Sequence, residues 1–415
     1  MSADILPLLA ALALILVAGR AAGAGFERIG QPAVLGELVA GIVLGNLGLA
    51  GVHALDGLRA AHGVAILAEI GVLLFLYRVG LETDLAEMMA VGASSLAVAV
   101  LGVITPMALG ALVSAWWFPS SPPLVHAFVG ATLTATSVGI TARVLADLGR
   151  ADGREGRIIL GAAVIDDVLG LLVLTVVAGI IAAADHGRAF DALSAAWVVG
   201  KALLFLAAAL VLGRPVSRAA LRIAERLPGR GVTLVAALAL CFGFAWLAGR
   251  VGLAPIVGAF AAGLVADPAD LAAAFPARAA DGAHHATGDP LEPIAAFLVP
   301  VFFVLMGLRV DLAALAQPGV LGFALLLTAV AVLGKQACAL GVLEKGCDRI
   351  AVGLGMIPRG EVGLIFAGIG TTLTLGGAPV VSPAVFSAVV IMVALTTLAT
   401  PPLLVMRLRA RAPAR

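Results

Sequence analysis

Apolar residues run along this chain in blocks of bilayer length, with polar and charged residues gathered in the gaps between them. Cutting at those gaps predicts about thirteen helices, since about twenty apolar residues cross a hydrocarbon core. They lie near residues 4–22, 31–50, 63–81, 92–116, 124–146, 157–183, 192–213, 231–248, 252–267, 291–309, 319–342, 350–371 and 381–406. An odd count puts the termini on opposite sides of the membrane.

The gaps orient the chain. With the N-terminus outside, the inward connections hold Arg28, then Arg150, Arg154 and Arg157, then Arg214, Arg218, Arg222, Arg226 and Arg230, then Arg278, Lys345 and Arg349, and the tail "RLRARAPAR". The outward ones hold only Arg59, Arg188, Arg250 and Arg309. This is the positive-inside bias, and it predicts a cytoplasmic C-terminus. Trp116, Trp117, Trp197 and Trp246 fall at outer span ends, as an interfacial aromatic belt requires. The first run, "ILPLLAALALILVAG", lacks the basic residues that open a signal peptide and is read as a retained span.

Composition agrees with this picture. The 415 residues are 62% hydrophobic and 12% charged, with a mean hydropathy of +1.12, whereas a soluble domain carries about 25% charged residues. The expected fold class is therefore an all-α polytopic membrane protein in one transmembrane domain spanning residues 1–415. A net charge of +1 gives no reason to expect a nucleic-acid partner. Cys241, Cys338 and Cys347, odd in number and without metal-type spacing, are read as free thiols.

The spans repeat. "GELVAGIVLG" from Gly36 in the second resembles "GAFAAGLVAD" from Gly258 in the ninth. "LFLYRVGLETDLAEM" ending the third resembles "FFVLMGLRVDLAAL" ending the tenth, so that Gly80 and Asp84 match Gly307 and Asp311. Matching spans are seven apart, which gives inverted-topology repeats near 4–183 and 231–406 joined by a linker helix at 192–213. The fifth span carries "TLTATSVGIT" and its counterpart, the twelfth, carries "GMIPRGEVGL". Polar or Gly/Pro breaks at corresponding places in two inverted halves mark an ion site, because unwound backbone exposes carbonyls and half-helix ends.

Charge inside the membrane is costly, so each such residue needs a partner or a cavity. In "GAAVIDDVLGLLVL", Asp166 and Asp167 are adjacent and point about 100° apart, so they face different neighbours. Lys335, in "AVLGKQACAL", is the only lysine at mid-membrane depth and is expected to pair with one aspartate, leaving the other for a cation or proton. Arg359 and Glu361 are expected to neutralise each other and the broken-helix ends. Glu69 and Arg78 are read as structural or inter-helix pairs; Glu37 is left open between a structural and a proton-conducting role. His284 and His285 are read as a solvated loop pair that could also sense pH. An intramembrane aspartic protease would need two carboxylates converging on one water, which adjacent residues do not provide. A channel would have no use for the Asp-Asp-Lys trio.

The runs "GQPAVLGELVAGIVLGNLGL", "AEIGVLLFLYRVGLETDL", "TATSVGITARVL", "AAVIDDVLGLLVL" and "GMIPRGEVGLIFAGIG" together resemble the monovalent cation:proton antiporter superfamily, in the branch of bacterial Na⁺/H⁺ exchanger domains that includes the Kef-type systems. The resemblance implies a homodimer with a scaffold and an elevator-like core (here 92–183 and 319–406), two crossing broken helices in the fifth and twelfth spans, and no cofactor. It implies that Asp167 binds the cation, that Asp166 pairs with Lys335, and that Thr136 and Ser137 lie near the ion. Double-aspartate members are typically electrogenic, exchanging two protons for one sodium, whereas electroneutral relatives carry Asn-Asp. The implied activity is exchange of internal Na⁺, or Li⁺, for external H⁺ across a bacterial cytoplasmic membrane in pH homeostasis, with K⁺/H⁺ exchange as the alternative. Arg78 departs from the pattern, being commonly apolar before "GLE". The last span lies close to the chain end, so no C-terminal regulatory domain is expected, which weighs against the ligand-gated potassium reading.

Overall fold

The computed structural model describes residues 5–52, 61–82, 92–151, 153–185, 192–227, 231–266, 291–315 and 318–410. In chain order the helices are α1 (Ile5–Arg28), α2 (Ala33–Gly45), α3 (His62–Glu82), α4 (Ala93–Trp117), α5 (Pro123–Thr132), α6 (Val138–Asp147), α7 (Arg154–Asp185), α8 (Ala192–Arg226) and α9 (Val232–Arg250). They continue with α10 (Pro255–Val265), α11 (Glu292–Leu308), α12 (Leu312–Leu315), α13 (Pro318–Ala337), α14 (Arg349–Gly355), α15 (Glu361–Thr372) and α16 (Pro383–Ala410). Among the described residues eight helices are long and apolar enough to cross a membrane, and five shorter apolar helices accompany them.

The fifth and twelfth predicted spans are interrupted as the sequence leads one to expect, each being two helices, α5 with α6 and α14 with α15. Another span departs from its predicted bounds: α8 continues to Arg226 instead of ending at residue 213. Its continuation is amphipathic. Arg214, Arg218, Arg222 and Arg226, four residues apart, form an exposed stripe, while Ser217, Leu221 and Ala224 are buried on the other side. The arginines that read as a loop therefore decorate a helix.

The chain divides into two compact units. One comprises Met1–Leu16, Ala61–Leu85 and Phe190–Phe302; the other comprises Val17–Ala60, Ala86–Ala189 and Phe303–Arg415. Residues 92–183 and 319–406 lie wholly within the second.

In the first unit α3 and α9 pack on α10 around Leu74, Tyr77, Ala237, Cys241 and Ala259. The packing is backbone to backbone: a Cβ on Gly80 would lie 2.3 Å from the Phe260 carbonyl oxygen, and one on Gly263 would lie 2.0 Å from that of Tyr77. The second unit repeats the device with the partners exchanged. A Cβ on Gly41 would lie 2.1 Å from the Val304 carbonyl oxygen, and one on Gly307 would lie 2.1 Å from that of Leu38. Small residues let apolar helices approach until dispersion between backbones replaces the missing hydrophobic drive.

Arg78 forms a 2.8 Å ion pair with Glu292 inside the first unit, which gives its charge a structural partner; Glu69 is exposed. Glu37 is buried in the second unit. A two-residue hairpin, Thr374–Leu375 against Ala378–Pro379, links α15 to α16. Asp185, the last residue of α7, holds it by accepting from the Thr374 hydroxyl at 2.6 Å and the Gly376 N–H at 2.9 Å. His284 and His285 lie outside the described residues.

Candidate functional site

The site lies in the second unit, where both helix interruptions meet. After α5 the chain carries a run of hydroxyl residues that bond their own helix. Thr132 Oγ1 donates to the Val129 carbonyl at 2.7 Å and Thr134 Oγ1 to that of Ala131 at 2.8 Å. These bonds satisfy carbonyls at the helix end and make an alternative to continuing the helix. After α14, Pro358 lacks the N–H that an unbroken helix would use there.

Unwound backbone inside a membrane must find partners, and here the two breaks supply each other's. The Ser137 N–H donates to the Pro358 carbonyl at 2.8 Å. Thr141 Oγ1 donates to Gly355 O at 2.6 Å, and Thr136 Oγ1 reaches Met356 O at 3.4 Å. From the other side, Arg359 Nη1 donates to Thr134 O at 3.2 Å and Ala135 O at 2.8 Å, and Nη2 donates to Ala331 O of α13 at 3.3 Å. Helix α16 closes the arrangement: the Thr396 hydroxyl accepts from the Arg359 N–H, and the Thr397 hydroxyl donates to the Arg359 carbonyl.

Arg359 is fully buried. Its guanidinium stands at the C-terminal end of α5, where the helix dipole and unwound carbonyls make the potential negative. Arg359 donates to three backbone carbonyls, which agrees with the expectation that it neutralises the broken-helix ends. The Glu361 side chain lies outside the described residues.

One turn along α13 from Ala331 stands Lys335, and its Nζ lies 2.7 Å from Asp166 Oδ1 on α7, both side chains wholly inaccessible. Of the two aspartates it is Asp166 that the lysine holds, while Asp167 is only half-buried. Helix α4 covers the pair with Gly102, where a Cβ would sit 3.3 Å from Lys335 Nζ and 3.5 Å from Asp166 Oδ1. Helix α7 meets the first break one turn beyond the aspartates. A Cβ on Gly170 would lie 3.5 Å from Thr134 Oγ1 and 3.8 Å from Ala135 Cα. Thr136 and Ser137 are buried within that break.

Sequence reasoning missed Gly102, Gly170, the Ala331 carbonyl and the Thr396–Thr397 pair. Only the last had a visible signal, two hydroxyl residues in the apolar run "IMVALTTLAT".

Gly360 gives a direct test of the crossing. A Cβ there would lie 2.6 Å from Ser137 Cβ and 2.7 Å from its Oγ, so Gly360→Ala must push the interruptions apart. Overpacking of this kind costs about 1–3 kcal/mol. The expected result in detergent is a lower melting temperature; an unchanged melting temperature would show that the breaks are not held together here.

Residues 11–406 match the family described as sodium/hydrogen exchanger, transmembrane. The high-affinity Na(+)/H(+) antiporter NhaS3 of Synechocystis sp. is 34% identical, over 95% of this chain and 88% of its own. The Na(+)/H(+)-K(+) antiporter GerN of Bacillus cereus is 36% identical, over 95% of this chain and 94% of its own. Among solved structures, the sodium proton antiporter MjNhaP1 from Methanocaldococcus jannaschii at pH 8 has a TM-score of 0.68 at 16% identity, covering 97% of this chain and 96% of that one; this is a likeness of fold. The chain is a multi-pass integral membrane protein and belongs to the monovalent cation:proton antiporter family.

Proposed function

We propose that this protein expels Na⁺, and Li⁺ where present, in exchange for external H⁺, with Asp167 as the exchange site. The observation that carries this reading is the buried 2.7 Å pair of Lys335 with Asp166. It commits one carboxylate to a fixed counter-charge, and in this reading the adjacent, half-buried Asp167 is the group that alternates between ligands.

The chemistry follows from occupancy. Asp167 holds a cation when deprotonated and is neutral when protonated, so the two ligands compete for one carboxylate. An empty charged carboxylate is costly to carry through the membrane. Only loaded forms cross, and exchange becomes obligatory. When the Asp166–Lys335 pair opens, its proton joins the cycle, and two protons per Na⁺ make the exchange electrogenic. Arg359 keeps its charge throughout and neutralises the helix ends without taking part in the exchange.

The moving part in this reading is the core of residues 92–183 and 319–406, which carries the site between the two membrane faces, in a homodimer with the C-terminus in the cytoplasm. The matched glycines, Gly41 with Gly263 and Gly80 with Gly307, touch in exchanged pairs, and this supports the inverted-repeat reading.

The alternative is K⁺/H⁺ exchange at the same site. The relative whose name includes both Na(+) and K(+) keeps it in view. Proteoliposomes loaded with a pH dye and challenged in turn with Na⁺, Li⁺ and K⁺ separate the readings. Dye recovery with Na⁺ and Li⁺ but little with K⁺ is the expected result. Equal recovery with K⁺ supports the alternative, and recovery with none of the three removes the antiporter reading.

A further inference from the structure

The first unit carries an apolar groove on its surface that the transport cycle leaves unused. Leu73 of α3, Phe242, Ala245 and Gly249 of α9 and Pro255 of α10 enclose a cavity of about 320 Å³ with almost wholly apolar walls. That volume is at the small end of ligand pockets. Its rim is cationic and aromatic. Arg250 and Trp246 line the groove, and the guanidinium carbon lies 5.7 Å from the indole centroid, within cation–π range.

The neighbouring helix repeats this pairing. Trp197 and Lys201 are four apart on α8, as Trp246 and Arg250 are on α9, and four residues bring side chains to one helix face. The two helix ends touch, because Lys201 Nζ donates to the Val251 carbonyl at 3.0 Å. Trp197 and Trp246 are 67% and 63% exposed, which marks this end as lying at a membrane–water interface. Among the described residues neither Lys201 nor Arg250 has a carboxylate partner, so an anion from outside the chain can complete the charge.

We propose that this groove binds one anionic phospholipid, its acyl chain against Leu73 and Phe242 and its phosphate between Arg250 and Lys201. A lipid phosphate supplies the opposite sign, and its chain matches the apolar floor.

The test is native mass spectrometry of the full-length protein in mild detergent, delipidated and incubated with phosphatidylglycerol or phosphatidylcholine. One phosphatidylglycerol per chain is expected to survive activation, with phosphatidylcholine lost. Lys201→Gln with Arg250→Gln is expected to weaken phosphatidylglycerol retention roughly 30-fold, at about 1 kcal/mol for each basic residue. Gly249→Leu, which fills the groove and leaves both cations in place, is expected to displace the lipid as well. Simple attraction to a charged surface would not respond to that change. Arg226→Gln, at the far end of α8, is the control and is expected to leave retention unchanged. Equal retention of both lipids, retention insensitive to the groove variants, an equal effect of Arg226→Gln, or variants that shift the dimer fraction and not the lipid count would each overturn the proposal. Melting temperature and Na⁺/H⁺ exchange, measured on every variant, show that the protein remains folded.

Discussion

Asp167→Asn is expected to abolish Na⁺-driven proton movement in proteoliposomes while leaving the protein folded. The substitution keeps the size and polarity of the side chain and removes only its ability to be charged. A cation at a partly desolvated position depends on that charge, and a charged group left without its partner costs about 3 kcal/mol or more, which corresponds to about 100-fold in occupancy. Proton transport fails for the same reason, since an amide does not titrate. Asp167→Glu keeps the charge and moves it by one methylene, and it is expected to retain measurable exchange with a raised half-saturation for Na⁺. Melting temperatures close to that of the parent separate loss of the ion site from loss of the fold. Exchange by Asp167→Asn within twofold of the parent would place the site elsewhere.

How far the sequence shows this site depends on whether a residue's partner is a side chain or a backbone group. Intramembrane charges are few because they are costly, so Asp166, Asp167 and Lys335 stand out in apolar runs, and a pairing among them can be read before any coordinates. Adjacency alone did not say which aspartate Lys335 holds. That depends on how α7 is rotated against α13, a tertiary arrangement in which Gly102 leaves room for the pair and Ile159 is buried in the surrounding core. Arg359 shows the opposite case. Two of its hydrogen bonds go to carbonyls 225 and 224 residues away on the first interruption. Every residue has a carbonyl, so nothing in residue identity marks Thr134 and Ala135 as acceptors. The interruptions were legible because Pro358 and the run of hydroxyls disfavour a continuous helix locally, whereas their mutual hydrogen bonding is a tertiary fact. The end of α8 was misjudged because an arginine every fourth residue reads equally as a basic loop and as the wet face of a helix. The buried small faces of Ser217 and Ala224 settle it.

Breaking the Asp166–Lys335 pair from one side is expected to cost more than removing it altogether. Lys335→Ala leaves a carboxylate wholly buried at 0% exposure, with Asp166 Oδ2 already lacking a hydrogen-bond partner among the described residues. Removing one member of such a pair destabilises by about 3–5 kcal/mol, whereas replacing both by uncharged groups of similar volume is often neutral or stabilising. Lys335→Met with Asp166→Asn is therefore expected to recover most of the loss, and the coupling between the two positions is read from a double-mutant cycle of melting or denaturant curves. The same variants separate structure from transport. If the pair contributes the second proton, the double variant retains Na⁺/H⁺ exchange through Asp167 and loses its response to membrane potential, so that a valinomycin-imposed potential no longer alters its rate. A double variant as unstable as Lys335→Ala would show that the pair is not a self-contained unit. A stable one that still responds to the potential would leave Asp166 and Lys335 as a structural clamp and move the second proton to another carboxylate.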